Sequence, residues 1–195
     1  RSPVLVLGDA MLGQMMEPMV LPEGVVDPAM LARKEWATDG ARGRKRNIIN
    51  SLYIHAPDLE QVNLRMQKRY QEAAEREVRC GTENLEDADI AVVAYGTAAR
   101  IAVSAVEQAR AKGIRAGLFR PISLFPFPQN EIAAIADRVK AFLVVELSLG
   151  QMVEDVQRLV AGKRPVEFFG RTGGVLITPT EVREAIERLA AEAKS

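Results

Sequence analysis

Residues 88–113 read ADIAVVAYGTAARIAVSAVEQARAKG, and the change of rhythm within them decides the fold. ADIAVVAYG is a continuous apolar run of strand length, the pattern of a strand buried on both faces. TAARIAVSAVEQARAKG then takes helical spacing and stops at Gly113, a residue suited to the end of a helix. The alternation repeats downstream. IRAGLF, KAFLVVEL and PVEFFG read as strands; QNEIAAIADRV, GQMVEDVQRLVAG and TPTEVREAIERLAAEA read as helices. RPISLFPFP is an extended, proline-bounded stretch, and RTGG is a loop. Thr178 is placed to cap the last helix, with Pro179 at its first position. This order predicts a three-layer α/β/α domain with a mostly parallel sheet over residues 82–195.

Upstream the text is different. Residues 51–81 form a linker in which DLEQVNLRMQKRYQEAAEREV sets Leu59, Val62, Met66, Tyr70 and Ala73 on one helical stripe, with Asp58 as the expected N-cap. The other faces of that helix are charged. Within residues 1–50, Val4–Leu7 reads as a buried strand ended by Gly8 and Asp9. Met11, Met15, Met16 and Met19 follow at near-helical spacing, suited to core packing or to a face turned toward a second subunit. The remainder of this segment is broken by Gly24, Pro28, Gly40 and Gly43. One strand and a loop bury no core, so residues 1–50 are expected to complete a sheet supplied from elsewhere, as the end of a larger polypeptide.

The 195 residues are 48% hydrophobic and 27% charged, with 26 acidic and 26 basic side chains. That is a globular composition, and zero net charge gives no reason to expect nucleic acid as a partner. No apolar run is long enough to span a bilayer. One Cys, Cys80, excludes an internal disulfide and a thiolate cluster; one His, His55, argues against a self-contained zinc site. The expected compartment is the cytoplasm.

In parallel sheets, ligands sit outside the C-terminal ends of the strands. That rule selects Gly8-Asp9, Tyr95-Gly96-Thr97, Arg120 and Glu146-Leu147-Ser148. Gly96 and Thr97 lie between strand and helix, where backbone N–H groups hold anions; the plain alternative is a tight turn with Thr97 as helix cap. Arg120 suits an acidic ligand or an interface ion pair. Glu146 is either a general acid or base or the acceptor for the following Gly150-Gln151 turn. The basic knot Arg42, Arg44, Lys45 and Arg46 is a candidate contact for cofactor phosphates or for a partner, or a solvated cluster. No arrangement of nucleophile and base, or of paired carboxylates, assigns a catalytic residue.

Four strings together resemble a known family: PVLVLGDAMLGQMMEP (3–18), WATDGARGRKRNIINSLYI (36–54), VAYGTAARIAVSAVEQARAKGIRAGLFRPISLFPFP (93–128) and VVELSLGQMVEDV (144–156). They are similar, in order and over nearly the whole chain, to the alpha chain of 2-oxoacid:ferredoxin oxidoreductases, nearest the branched-chain 2-oxoisovalerate type. The resemblance implies oxidative decarboxylation of a 2-oxoacid with thiamine diphosphate and Mg, coenzyme A as co-substrate, and ferredoxin as electron acceptor. Iron–sulfur clusters are implied on other chains or domains; Cys80 matches no cluster ligand.

The same resemblance makes residues 1–50 the last strand and exit of a pyrimidine-binding thiamine domain. It makes residues 82–195 a domain similar to the C-terminal domain of transketolase. The family's cofactor-activating Glu and its YPITP-type substrate turn match nothing here. Asp9, Met11 and Gly13 fall in a loop on the substrate side, with Ala10 where members often have Gly. The implied local role is to scaffold an oligomer with the other subunits and frame the active site, the chain alone being inactive. An anion-binding regulatory α/β module, using the Tyr95-Gly96-Thr97 turn, is the alternative.

Overall fold

The computed structural model describes residues 3–21, 24, 27–31 and 33–193, and divides into two compact units, residues 1–15 with 72–195 and residues 16–71. The sheet of the first unit comprises β1 (Cys80–Glu83), β2 (Ile90–Ala94), β3 (Ala116–Pro121), β4 (Ala141–Glu146) and β5 (Val166–Gly170), in the order β1-β3-β2-β4-β5. All neighbours are parallel except the edge pair β1 and β3. Val92 of the central strand β2 stands between Leu118 of β3 and Leu143 of β4.

The apolar runs bury both faces, as side chains alternating across a strand require. Ile90, Val92 and Ala94, with Leu118, Leu143 and Val145, face helices α3 (Gly96–Ala111) and α6 (Pro179–Glu192). Ala91, Val93, Phe119, Phe142 and Val144 face α4 (Gln129–Ala136) and α5 (Met152–Val160). The buried face of α3 consists mainly of alanines, Ala98, Ala99, Ala102, Ala105 and Ala109, which lets it lie close to Val182, Ile186 and Leu189 of α6. The three-layer architecture therefore follows the reading of the sequence. No helix among the described residues is long and apolar enough to cross a membrane.

Several expectations change. Val4–Leu7 forms no strand: it lies without regular structure, with Val6 90% exposed. A lone strand leaves its N–H and C=O groups unpaired, and no described segment pairs with it. α1 (Ala10–Gln14) follows, capped by Asp9, whose carboxylate accepts from the Leu12 N–H at 2.7 Å. Met16 and Met19 are exposed rather than packed in a core.

α2 (Ala56–Arg76) begins two residues before Asp58, with Pro57 in the first turn, where its missing N–H costs nothing. It buries no residue, so the Leu59–Met66–Tyr70 stripe remains half-exposed. β1 was not apparent in the sequence, because Cys-Gly-Thr-Glu at an edge has no apolar rhythm. Thr97 does not cap α3; Tyr95 holds the cap position, and Thr97 lies within the first turn.

The α6 start is as expected and adds a reciprocal bond. Thr178 Oγ1 accepts from the Glu181 N–H at 3.3 Å, and Glu181 Oε2 accepts from the Thr178 N–H at 2.9 Å. Arg171 pairs with the other Glu181 oxygen. That guanidinium, then the Thr178 hydroxyl and amide, hold the Glu181 carboxyl down at about 2 against an ordinary 4.5. A carboxyl depressed in the folded state stabilises above its unfolded pKa, and that contribution is lost as pH falls. Stability is thus expected to drop between pH 4.5 and about 2, with the drop shrinking in Arg171→Ala, as read by thermal unfolding across that range.

A second prediction concerns β3. A Cβ on Gly117 would stand 2.4 Å from the Asn84 carbonyl oxygen and 2.9 Å from Leu85 Cα. Both obstacles are backbone, so neither yields by a rotamer change. Gly117→Ala is expected to destabilise by about 1–3 kcal/mol, read as a lower urea midpoint at unchanged slope.

Candidate functional site

The strand order places a topological switch point between β2 and β4. From β2 the chain winds one way to β3, and from β4 the other way to β5. The crevice at such a point, beyond the strand C-termini, is the usual ligand position of an open α/β sheet. Tyr95-Gly96-Thr97 leaves β2 there, and Glu146-Leu147-Ser148 leaves β4.

Glu146 is fully buried. Its carboxylate accepts from the N–H groups of Gln151 (3.1 Å), Met152 (3.1 Å) and Val153 (3.0 Å) and from the Ser148 hydroxyl (3.1 Å). The three amides start α5, and at a helix N-terminus such groups have no acceptor of their own. A negative charge there also meets the positive end of the helix dipole. The loop that permits this turns at Gly150, with φ +103°, a conformation that favours glycine. It also brings the Ser148 carbonyl against β5, where a Cβ on Gly170 would lie 2.5 Å from that oxygen. Both Glu146 oxygens are thus engaged in structure, which selects the hydrogen-bonding reading over the acid–base one.

Across the switch point, Tyr95 is half-buried, and its burial together with the Glu146 charge pushes the phenol pKa up. Gly96 has φ +56°. Thr97 is 5% exposed, and its hydroxyl makes no hydrogen bond of good geometry among the described residues. The Asp9 carboxylate stands beside that hydroxyl, which, ahead of the Leu12 amide, holds it below the usual carboxylate range, yet no hydrogen bond of good geometry joins the two. The structure therefore brings Asp9 beside Thr97, 88 residues further along the chain. Met11 is half-buried on α1, and Gly13 is exposed. Arg120 lies within β3, exposed and opposite Gly81.

The basic knot belongs to the other unit and divides in two. Arg44 braces its own loop, donating to the Asp39 carboxylate at 2.6 Å and to the Ala37 and Lys45 carbonyls at 3.1 Å each. That guanidinium holds the Asp39 carboxyl below its ordinary range. Asn47 Nδ2 adds bonds to the Glu35 and Ala37 carbonyls. Arg42, Lys45 and Arg46 face solvent.

Residues 88–182 match the family model of the pyruvate:ferredoxin oxidoreductase core domain II. Beyond the domain, the chain is 44% identical over 98% of its length to the ketoisovalerate oxidoreductase subunit VorB of Methanothermobacter thermautotrophicus, covering 54% of that protein. It is 41% identical to the 2-oxoglutarate synthase subunit KorA of the same organism over 55% of this chain and 28% of that one. The chain spans about half the length of the VorB proteins it matches.

Among solved structures, the 2-oxoglutarate:ferredoxin oxidoreductase from Magnetococcus marinus, with 2-oxoglutarate, coenzyme A and succinyl-CoA bound, aligns with TM-score 0.59 at 15% identity. That alignment covers 71% of this chain and 24% of that one. A split-gene transketolase, as an inactive β4 tetramer, aligns with TM-score 0.51 at 21% identity over 58% and 41% of the two chains. At these identities the two structures speak for the fold alone.

Among the described residues, no group of three or more His, Cys, Asp or Glu is arranged to hold an ion. With a single Cys in the sequence, the residues present do not fit an iron–sulfur cluster. Nor does Glu146 fit cofactor activation, since its oxygens are saturated by the α5 start. Glu146→Gln turns one acceptor into a donor facing amides. It is expected to lower stability by about 3 kcal/mol, the scale for buried donors left without an acceptor, measured by chemical denaturation.

Proposed function

We propose that this chain is part of the alpha-type subunit of a thiamine-dependent 2-oxoacid:ferredoxin oxidoreductase acting on branched-chain 2-oxoacids. The observation that carries the reading is the match to VorB subunits over nearly all of this chain. In this reading residues 1–50 end a pyrimidine-binding domain, residues 51–81 link, and residues 82–195 scaffold the assembly and frame the active site. Thiamine diphosphate, Mg and iron–sulfur clusters sit on residues or chains outside this one, with coenzyme A as co-substrate and ferredoxin taking the electrons. Asp9, Met11 and Gly13 face the substrate side, while Arg42, Lys45 and Arg46 meet a phosphate or an acidic partner.

Two features of the structure support a scaffold. The saturated Glu146 leaves this domain no buried carboxylate for proton transfer. Large apolar side chains are also left in solvent: Val4–Leu7 in one segment, Phe125 at 73% exposed and Leu149 at 82% in others. Exposed apolar surface of this kind marks interaction surfaces. Holding substrate and cofactor in register contributes to rate without any reacting group on the scaffold.

The test is to purify the assembly that contains this chain from its native cells and follow reduction of a viologen dye. A coenzyme A-dependent reaction is expected, fastest in kcat/KM with 2-oxoisovalerate, while the isolated chain gives none. A preference for 2-oxoglutarate would move the protein to the KorA branch. Failure of every 2-oxoacid to drive reduction would end the oxidoreductase reading.

A further inference from the structure

The sheet ends at β5, and this strand leaves one side of its backbone unused. The Phe142 N–H donates to the Pro165 carbonyl, and the Arg171 N–H to the Glu146 carbonyl. Residues 165, 167, 169 and 171 therefore turn their backbone groups toward β4, and Val166, Phe168 and Gly170 turn theirs outward. β5 is last in the sheet order, so no strand among the described residues takes these groups up.

Open sheets always end somewhere, and proteins commonly blunt the edge with lysine, proline or a covering element. Val166–Gly170 has neither Lys nor Pro, and its one charge is Glu167. Side chains alternate across the strand. Val166 packs into the α4 and α5 core, which puts Phe168 on that face; Phe169 packs into the α3 and α6 core, which puts Glu167 and Arg171 on the other. The Phe168 ring is 38% exposed and lies against Gly150, next to Leu149 in the chain, which is exposed too. On the α6 face Glu167 makes no ion pair among the described residues, while Arg171 reaches Glu181 through one nitrogen of a guanidinium that has five donors.

We infer that β5 is a self-pairing edge: two copies of this chain join β5 to β5, antiparallel, about a two-fold axis at Phe169, into one continuous sheet. Pairing about a two-fold axis sets outward residues opposite outward residues, which leaves three registers inside the strand. Glu167 opposite Glu167 brings like charges face to face. Phe168 opposite Phe168 leaves Glu167 against a phenyl ring. Phe169 opposite Phe169 sets Glu167 across from the partner's Arg171, and Phe168 across from the partner's Gly170, where no side chain stands in its way. Charge and shape agree on this last register. The same patch serves both copies, as a closed two-fold contact requires. The contact is smaller than a standard interface, so the dimer is expected to dissociate on dilution. The inference rests on the strand edge and is independent of the oxidoreductase reading.

The experiment uses the 195-residue chain. Sedimentation velocity over a wide range of concentration is expected to show a monomer that doubles in mass as it is concentrated. Deuterium exchange at the Phe168 and Gly170 amides is expected to slow in step. Phe168→Pro removes an outward N–H without touching the β4 ladder, and is expected to stay monomeric with its circular dichroism unchanged. In a Cys80→Ser background, Glu167→Cys with Arg171→Cys places two thiols across a non-hydrogen-bonded pair, with Cα atoms about 4.5 Å apart. Mild oxidation is expected to give a covalent dimer of that variant. Glu167→Cys alone should give none, because the two copies of residue 167 are then offset by roughly 13 Å along the strands.

A chain that stays monomeric at every concentration overturns the inference. So does a dimer that survives Phe168→Pro, since it forms elsewhere, and so does a covalent dimer from Glu167→Cys alone, which belongs to another register. Should the variants not fold, exchange at Phe168 and Gly170 in the wild-type chain decides: rates independent of concentration overturn the pairing.

Discussion

The seating of the Glu146 carboxylate on the start of α5 is the interaction on which the ligand-side end of this sheet depends. Burying a carboxylate is costly unless its lone pairs are filled, and here every partner is a donor. The consequence spreads along the chain. The Glu146 carbonyl accepts from the Arg171 N–H just beyond β5, and the Arg171 side chain pairs with Glu181 in the cap of α6. The ends of β4 and β5 and the starts of α5 and α6 are therefore joined by successive hydrogen bonds. At Gly170 this arrangement leaves no room for a side chain, and at Gly150, Gly173 and Gly174 it demands a left-handed backbone.

That constraint explains why Glu146, although a buried acid, is not placed to transfer a proton. A proton-transferring carboxyl needs an oxygen open to substrate. Glu146 has both oxygens committed, and Tyr95 nearby is a phenol whose ionisation burial and the Glu146 charge make harder. The opposite end of the sheet is fastened in a comparable way: Asp89 pairs with Arg115 at 2.9 Å and with Lys140 at 3.4 Å, tying the N-terminal sides of β2, β3 and β4. Charged groups thus tie the chain together at both ends of the central strands.

How much of this the sequence discloses depends on where the stabilising partners lie. β2, β3, β4 and β5 were legible because strands covered on both faces are written as apolar runs, and α6 because its Thr-Pro-x-Glu start carries its own cap. Glu146 was legible as a buried turn acceptor, because its donors lie within seven residues. β1 was not, since Cys80–Glu83 is held by register with β3 and not by its own composition. Val4–Leu7 has the composition of a strand, but composition supplies no neighbour, and the segment stays unpaired. Arg44 was read with its basic neighbours as one cluster. Its commitment to Asp39 and the Ala37 carbonyl depends on the loop closing back on itself, which residue type does not encode. The nearness of Asp9 to Thr97 is likewise a product of the fold.

The apolar side chains left in solvent follow from the same division. The domain's two cores are completed by α3 with α6 and by α4 with α5, and neither includes residues 3–9. A helix of 21 residues that buries none of them draws little stability from packing, which is where most helices in folded proteins obtain it. Its apolar stripe and the Val4–Leu7 run carry the residue types of buried surface and have no cover among the described residues. Burial of such surface, whether against another chain or against more of the same polypeptide, would add stability without requiring the core to rearrange.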